Sequence, residues 1–493
     1  MLQVRREERG DMSVNAAHWD DDRGGAFTRA MEQDGLPFPR RIWAIIAISF
    51  GTALLVLDGA IANVALPTMA RELSVDDGVV TNVVTVYQLV LVMVLLPFAN
   101  VGDRIGHRRL YQIGQLLFLV TSGLCFFASD LIFLLVLRAG QALGAGMALS
   151  VSSAMIRQIY PAKKLGSGLG INSVIVASSA ALAPTLGGYI VAHMDWQWVF
   201  VAAAPMAIIS LLLGRSLPDP VRKPLDPEWI SGVWSALTML LIIGGMQLAT
   251  HGVSHWPGTV LALLGVLSAV LLVRREAARS DPVVPVDIMR QPVIGLSALA
   301  AITCFISSGA LMLALPFRLE QTMGYSPDQV GLLLLPFPLT MLFVAPFAGW
   351  MSDRVAPTKL GVTGMVIAMI ALALMVTMPD QPGAFGIAWR LSVAALGFGL
   401  FFAPNSRLLI GRAPKDRAAA AGGLLSTSRL LGQTMAAVVV GILLSSGLGV
   451  GPWPLIVSAV LAVVAALCSL TRFFSSGGGP AARKAAKASG SAG

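Results

Sequence analysis

Charge is scarce in this chain. Only 12% of its 493 residues are Asp, Glu, Lys or Arg while 56% are hydrophobic, against roughly a quarter charged in a soluble domain. So little charge cannot cover a water-facing surface, which excludes a string of soluble domains and leaves a helical bundle in a bilayer. There are three cysteines and five histidines. Cys125, Cys304 and Cys468 lie in apolar runs without a C-x-x-C spacing, so neither a disulfide framework nor a metal site is expected. No G-x-x-x-x-G-K-[ST] stretch occurs, which argues against ATP as an energy source and against a bound nucleotide. Without an intramembrane His/Cys/Asp cluster or a catalytic pairing, an enzyme is not expected. No cofactor is expected either.

The apolar runs read as fourteen spans between residues 43 and 471, each near the roughly 20 residues that cross about 30 Å of hydrocarbon. The seventh and eighth, near 229–250 and 258–273, are the weakest. Net charge is +9, yet the basic residues fall in short clusters between spans, which points to membrane topology and away from nucleic acid. With both termini cytoplasmic, inner loops and tails would hold 30 of the 35 Lys and Arg, and outer loops only Arg71 and Arg318. The expected protein is a multi-pass protein of the cell membrane, a monomer whose partners are the lipid bilayer and a small molecule.

An internal echo suggests a duplicated architecture. ANVGDRIGHRRLY carries Asp103-Arg104 after the second span, and GWMSDRVAPTKL carries Asp353-Arg354 after the tenth. The division that follows is a disordered tail at 1–40, a six-helix half at 41–215 and two extra helices with their loops at 216–290. A second six-helix half at 291–473 and a tail at 474–493 complete it.

Asp58, in FGTALLVLDGAIANVALP, is the one acid placed inside any span. A charge there costs on the order of 3 kcal/mol, so such carboxylates face a cavity, a partner or an ion path. Arg138, in LLVLRAGQALGAGMALS, lies at matching depth, about eight residues or roughly 12 Å from the outer end of its own span. An arginine stays protonated, so its field would help expel a proton from a nearby carboxylate; bracing of helices is the alternative. Arg390, Arg429 and Gln433 are further candidates to line a cavity, as are Asn63, Tyr87, Gln88, Gln141 and Gln247.

Several of these stretches resemble signatures of the major facilitator superfamily. ANVGDRIGHRR resembles its G-x-x-x-D-R-x-G-R-R loop, with Ala99 and His107 as departures. Arg138, Gln141 and Gly144 resemble R-x-x-Q-G-x-G. SSAALAPTLGGYI resembles the antiporter signature G-x-x-x-G-P-x-x-G-G through Pro184, Gly187 and Gly188, and LDGAIANVALP resembles the first-helix signature of the fourteen-helix drug:H+ antiporter family. The resemblance implies an all-α major facilitator fold, two six-helix halves plus two extra central helices, fourteen transmembrane helices in all. It also implies proton-coupled export of drugs or antibiotics by alternating access. Asp58 and Arg138 would handle the proton, which is the only coupling ion implied. Asp103, Arg104, Gly106, Arg108, Asp353 and Arg354 would form an inner latch, and Pro184 a helix kink. A dedicated metabolite, amino-acid or sugar transporter of the same fold is the alternative.

Overall fold

In lipid the backbone has no water to bond, so apolar runs of this length satisfy their N–H and C=O groups internally as helices. The computed structural model describes residues 35–160, 165–218, 229–251, 255–279, 282, 285–352, 354–379, 382–413 and 418–475. A first group comprises α1 (Arg40–Glu72), α2 (Asp77–Val80), α3 (Asn82–Ile105), α4 (His107–Cys125) and α5 (Leu131–Ile159), followed by α6 (Leu165–His193), α7 (Trp198–Val201) and α8 (Ala204–Leu213). A hairpin of α9 (Trp229–His251) and α10 (His255–Ala277) follows, then the short α11 (Val286–Met289). The second group is α12 (Pro292–Phe317), α13 (Pro327–Leu334), α14 (Pro336–Met351), α15 (Pro357–Val376), α16 (Gly383–Gly411), α17 (Ala418–Ser445) and α18 (Trp453–Ser475).

Among the described residues, twelve helical segments are long and apolar enough to cross a membrane, two fewer than the fourteen spans expected. The two outside that number are α4 and α6. His107, Arg108, Arg109, Gln112 and Gln115 make α4 more polar than its neighbours. Both helices nevertheless stand inside the bundle, α4 along α5 and α6 along α1. The tails at 1–34 and 476–493 lie outside the described residues, as does Asp353.

Local signals set where helices begin and end. The Asp130 carboxylate accepts from the Phe133 amide at 2.9 Å to open α5, and Ser326 with Gln329 forms a capping box at α13. Between α3 and α4 the chain turns at Gly106, with φ +102° and ψ 134°, a conformation that a Cβ disfavours. Gly106→Ala is therefore expected to cost about 1–3 kcal/mol, read as a lowered melting temperature of the purified protein. An unchanged melting temperature would mean that this turn relaxes freely.

The same packing recurs in both groups. In the first, α3 and α4 pack on α5, while α6 and α8 pack on α1; in the second, α14 and α15 pack on α16, while α17 and α18 pack on α12. Glycines mark the tightest crossings. A Cβ on Gly114 would lie 2.5 Å from the Gly144 carbonyl oxygen, and one on Gly364 would lie 2.5 Å from that of Gly397. Gly114 and Gly364 are separated by the same 250 residues as Asp103 and Asp353. The hairpin straddles the seam between the groups, with α9 touching both α3 and α17.

The two groups meet at the end of the bundle that charge counting assigns to the outside. There the Pro184 carbonyl and Gly188 of α6 lie against Pro327 and Gly331 at α13, and Gly78 lies against Gly441 and Ser445. Polar contacts close the same end. Arg71 pairs with Glu320 at 3.0 Å, and the Gln321 amide donates to Asp77 at 2.7 Å. Toward the opposite end the groups part. Along one stripe of α17, Val440 and Ala436 are buried, Gln433 is half-buried and Arg429 is exposed, and a Cβ on Gly422 or Gly423 would meet nothing within 4 Å.

The Arg71–Glu320 pair has one exposed partner, so it contributes at most about 1 kcal/mol. Arg71→Gln is expected to raise, by no more than about fivefold, the rate at which a thiol reagent added from outside labels Ala436→Cys. A rate unchanged from wild type would show that this pair does not hold the end shut.

Candidate functional site

Asp58 and Arg138 reach each other because α1 and α5 pack together at the level where each carries a charge within its apolar stretch. Arg138 Nη1 donates to Asp58 Oδ2 at 2.9 Å and to Gln141 Oε1 at 2.8 Å, and its Nε donates to the Val83 carbonyl at 3.3 Å. The guanidinium lies 4.2 Å from the centroid of the Tyr87 ring and 5.1 Å from that of Phe200. Such cation–π contacts are worth up to about 2 kcal/mol when desolvated. Asp58 is 0% exposed and Arg138 is 1% exposed, so water screens neither charge and each depends on the other.

That dependence is asymmetric in its consequences. A buried pair gives back little net stability, but removing one partner strands the other at a cost of about 3–5 kcal/mol. Arg138 is fixed on every side. Asp58 is not: its Oδ1 is buried and accepts no hydrogen bond. The Tyr87 hydroxyl stands beside this carboxylate without closing a bond of normal geometry. Asn63 Oδ1 and Gln88 Oε1 are also buried without a partner. Buried polar atoms are nearly always satisfied in a resting fold. Several unsatisfied ones on the facing sides of α1 and α3 therefore mark a place prepared for something else.

The other sequence candidates divide. Asn63 lies one turn along α1 from Gly59, which faces the Tyr87 ring, and so belongs to the same wall. Gln433 and Arg429 lie on the α17 stripe that looks into the gap between the groups. Gln141 does not line a cavity. It is fully buried, and its amide donates to Ser122 Oγ at 2.8 Å, so its role is to orient Arg138. Arg390 is not brought to the site either. It donates to the Gly386 and Leu374 carbonyls at 2.7 and 3.1 Å and lies 4.6 Å from the Trp389 ring, which turns it toward α15. Gln247 is on the α9 hairpin, beside the face of α3 that carries Leu89 and Met93, and is not among the residues touching the pair.

Only part of the expected inner latch falls within the described residues. Arg104 is exposed, Arg108 donates to the Arg215 carbonyl of its own group at 3.4 Å, and Arg354 lies 3.8 Å from the Trp350 ring. The helix bearing Asp103 is described but its side chain is not, and Asp353 is outside the described residues. Pro184, Gly187 and Gly188 sit at the closed end, where a Cβ on Gly187 would meet the Ile61 carbonyl at 2.9 Å and one on Gly188 would press on α13.

Some contributors went unrecognised in the sequence. The Val83 carbonyl and Ser122 carry no signal there, since any residue supplies a carbonyl and serines are common in spans. Phe200 stands in a recognisable WQWVF stretch, but nothing in that stretch says which charge its ring faces. Arg472, which reads as an inner-tail residue, is buried and donates to Ser297 Oγ at 2.7 Å and to Asn405 Oδ1 at 2.6 Å, tying α18 to α12 and α16.

The profile of the Major Facilitator Superfamily matches residues 48–273 and 297–491. The chain is 38% identical over 446 residues to the uncharacterized transporter YebQ of Escherichia coli strain K12, covering 89% of this chain and 97% of that one. It is 28% identical to the riboflavin transporter RibZ of Clostridioides difficile strain 630, covering 78% and 84%. To the tetracenomycin C resistance and export protein of Streptomyces glaucescens it is 27% identical, covering 87% and 80%. Among solved structures, a bacterial homolog of the human lysosomal transporter Spinster, inward-facing and unoccupied, superposes with a TM-score of 0.65. That match has 17% identity and covers 89% of this chain and 98% of that one.

Proposed function

Because this chain belongs to the Major Facilitator Superfamily, we propose that it is a proton-coupled exporter of small organic molecules, with Asp58 as the proton carrier. The observation that carries this reading is the buried Asp58–Arg138 pair with its unused Oδ1. A proton on Oδ1 needs no rearrangement of the Arg138 contacts and turns the carboxylate from a pure acceptor into a donor. That swap changes what the α1 and α3 walls offer to cargo. It also removes the negative charge that holds Arg138, so the two protonation states favour different packings of α1 against α5.

In this reading α4 and α6 are the two remaining spans, giving fourteen, and both termini are cytoplasmic, as the distribution of Lys and Arg favours. The closed end is then outside and the protein is open inward. Alternating access would rock the two groups about the seam, with Pro184, Gly187 and Gly188 forming part of the outer closure. The monomer is the transporting unit, and neither ATP nor a cofactor is required. The tetracenomycin C relative supports an antibiotic or drug as cargo. The RibZ relative supports the second reading, a dedicated metabolite transporter.

Inside-out vesicles containing the protein are expected to accumulate substrate when their lumen is acidified, without ATP, and to stop when nigericin collapses the pH gradient. Accumulation that survives nigericin would rule out proton coupling.

A further inference from the structure

We infer that the cavity recognises an anionic aromatic molecule, with Arg429 as the residue that binds its carboxylate or equivalent acid group. This rests on the transporter reading above and names the substrate class of its cavity.

Arg429 is eleven residues from the start of α17 and sixteen from its end, about 16 and 24 Å along the helix axis, farther from either end than its side chain reaches. It is exposed, whereas its neighbours Ser428 and Leu430 are buried. The direction of that exposure follows from the rest of the helix. Leu431, Met435, Val438 and Ile442 pack toward α3 and α9, and Gly432 lies against Phe305 of α12. Arg429 shares its stripe with Ala436 and Val440, which bury into the core formed with α1 and α3. The stripe therefore faces the space between the two groups, and at the level of Arg429 that space is open.

Among the described residues the charge there has no counterpart. Asp58 is already spent on Arg138, so that pair is neutral. Among the described residues Arg429 has no ion pair, hydrogen bond or ring contact. A guanidinium at this depth that is exposed and without a protein partner faces a wet cavity, the setting in which intramembrane charges meet substrate. Its planar fork matches a carboxylate with two parallel N–H···O contacts. Aromatic surface lies at hand, since Phe305 contacts the next turn of α17 and its ring stacks on that of Phe402 at 4.3 Å, both half-buried. The result is one fixed cation beside a stacked aromatic pair, a poor cage for a dication and a suitable one for an aromatic acid. An anion does not compete for Asp58 by charge, so proton exchange would depend on which loaded states can reorient.

The test is equilibrium binding to the purified full-length protein in lipid nanodiscs, without a gradient. The probes are benzoate, 2-naphthoate and 2-anthroate, each beside its neutral amide and its arylmethylammonium counterpart. The acid is expected to bind about 10- to 100-fold tighter than its amide in at least one scaffold, the value of one charge-assisted contact. Arg429→Gln should erase that preference and Arg429→Lys should keep part of it. Arg390→Gln, which removes a positive charge away from the cavity, should keep all of it. Arg429→Gln should also leave the melting temperature no lower, because the exposed side chain has no partner among the described residues to lose, whereas removing a structural brace would lower it. The inference is overturned if an amide or ammonium binds best, if none of the acids binds, or if Arg429→Gln leaves the preference intact or lowers the melting temperature. Acid binding without transport under a pH gradient would sink the coupling reading and leave this one standing.

Discussion

Asp58→Asn is expected to abolish transport driven by a pH gradient while leaving the protein folded but less stable. The stability loss comes from Arg138, which keeps its charge, loses the carboxylate 2.9 Å away and has no water within reach. Stranding it costs about 3–5 kcal/mol. The contacts to Gln141, Val83, Tyr87 and Phe200 remain and keep the side chain in place. Arg138→Gln should destabilise by a similar amount, for the converse reason. The double variant Asp58→Asn/Arg138→Gln removes both charges, and its melting temperature is expected to return most of the way to that of the wild type.

A double-mutant cycle therefore separates two roles that a single substitution mixes. If the pair were only a brace, transport would recover in the double variant along with stability. Coupling through Asp58 predicts stability without transport. Retention of full gradient-driven efflux by Asp58→Asn alone would remove the carboxylate from the mechanism altogether.

The second large effect is expected at the outer closure. Gly188→Leu places a side chain where α6 meets Pro327 and Gly331 of α13, and Gly331→Leu places one 2.5 Å from the Pro184 carbonyl oxygen. The obstruction is backbone in both cases, so no rotamer relieves it and the two groups must separate. Overpacking of this kind costs about 1–3 kcal/mol, which would lower the population of the form closed at this end by roughly 5- to 150-fold. Spin labels on Glu72→Cys and Ser446→Cys, at the ends of α1 and α17, should report a longer distance in either variant, and transport should fall in proportion. Gly187→Ala is the control. Its added methyl meets the Ile61 carbonyl within the same group, so it should lower stability without changing that distance. Equal label distances in Gly188→Leu and wild type would show that this crossing does not set the gate.

How far each of these features could be read in advance differs by feature. The apolar runs made helices unavoidable, and the separation between the two Asp-Arg turns announced a repeat that reappears in the Gly114–Gly144 and Gly364–Gly397 crossings. Asp58 and Arg138 stood out because each is a charge in an apolar span, and helical rise alone put them at one depth. Their meeting needed only that α1 and α5 be neighbours. Depth, however, says nothing about azimuth. Arg390 is also an arginine within a span, yet it turns to the Leu374 carbonyl of α15. Gln141 seemed a free polar group in a cavity and is instead held between Arg138 and Ser122.

The sequence by itself determined the solvent, the helical class, the repeat and the short roster of charges inside the membrane. All four follow from composition and from one-dimensional spacing, which lipid turns directly into helices and depths. Only the tertiary structure decided which of those charges are paired. The partners of Arg138 come from α1, α3 and α5 together, and the exposure of Arg429 depends on a gap between two groups of helices that the α9–α10 hairpin separates in the chain. Pairing is a property of directions and distances in three dimensions, and it is what divides the buried Asp58–Arg138 pair from the exposed guanidinium of Arg429.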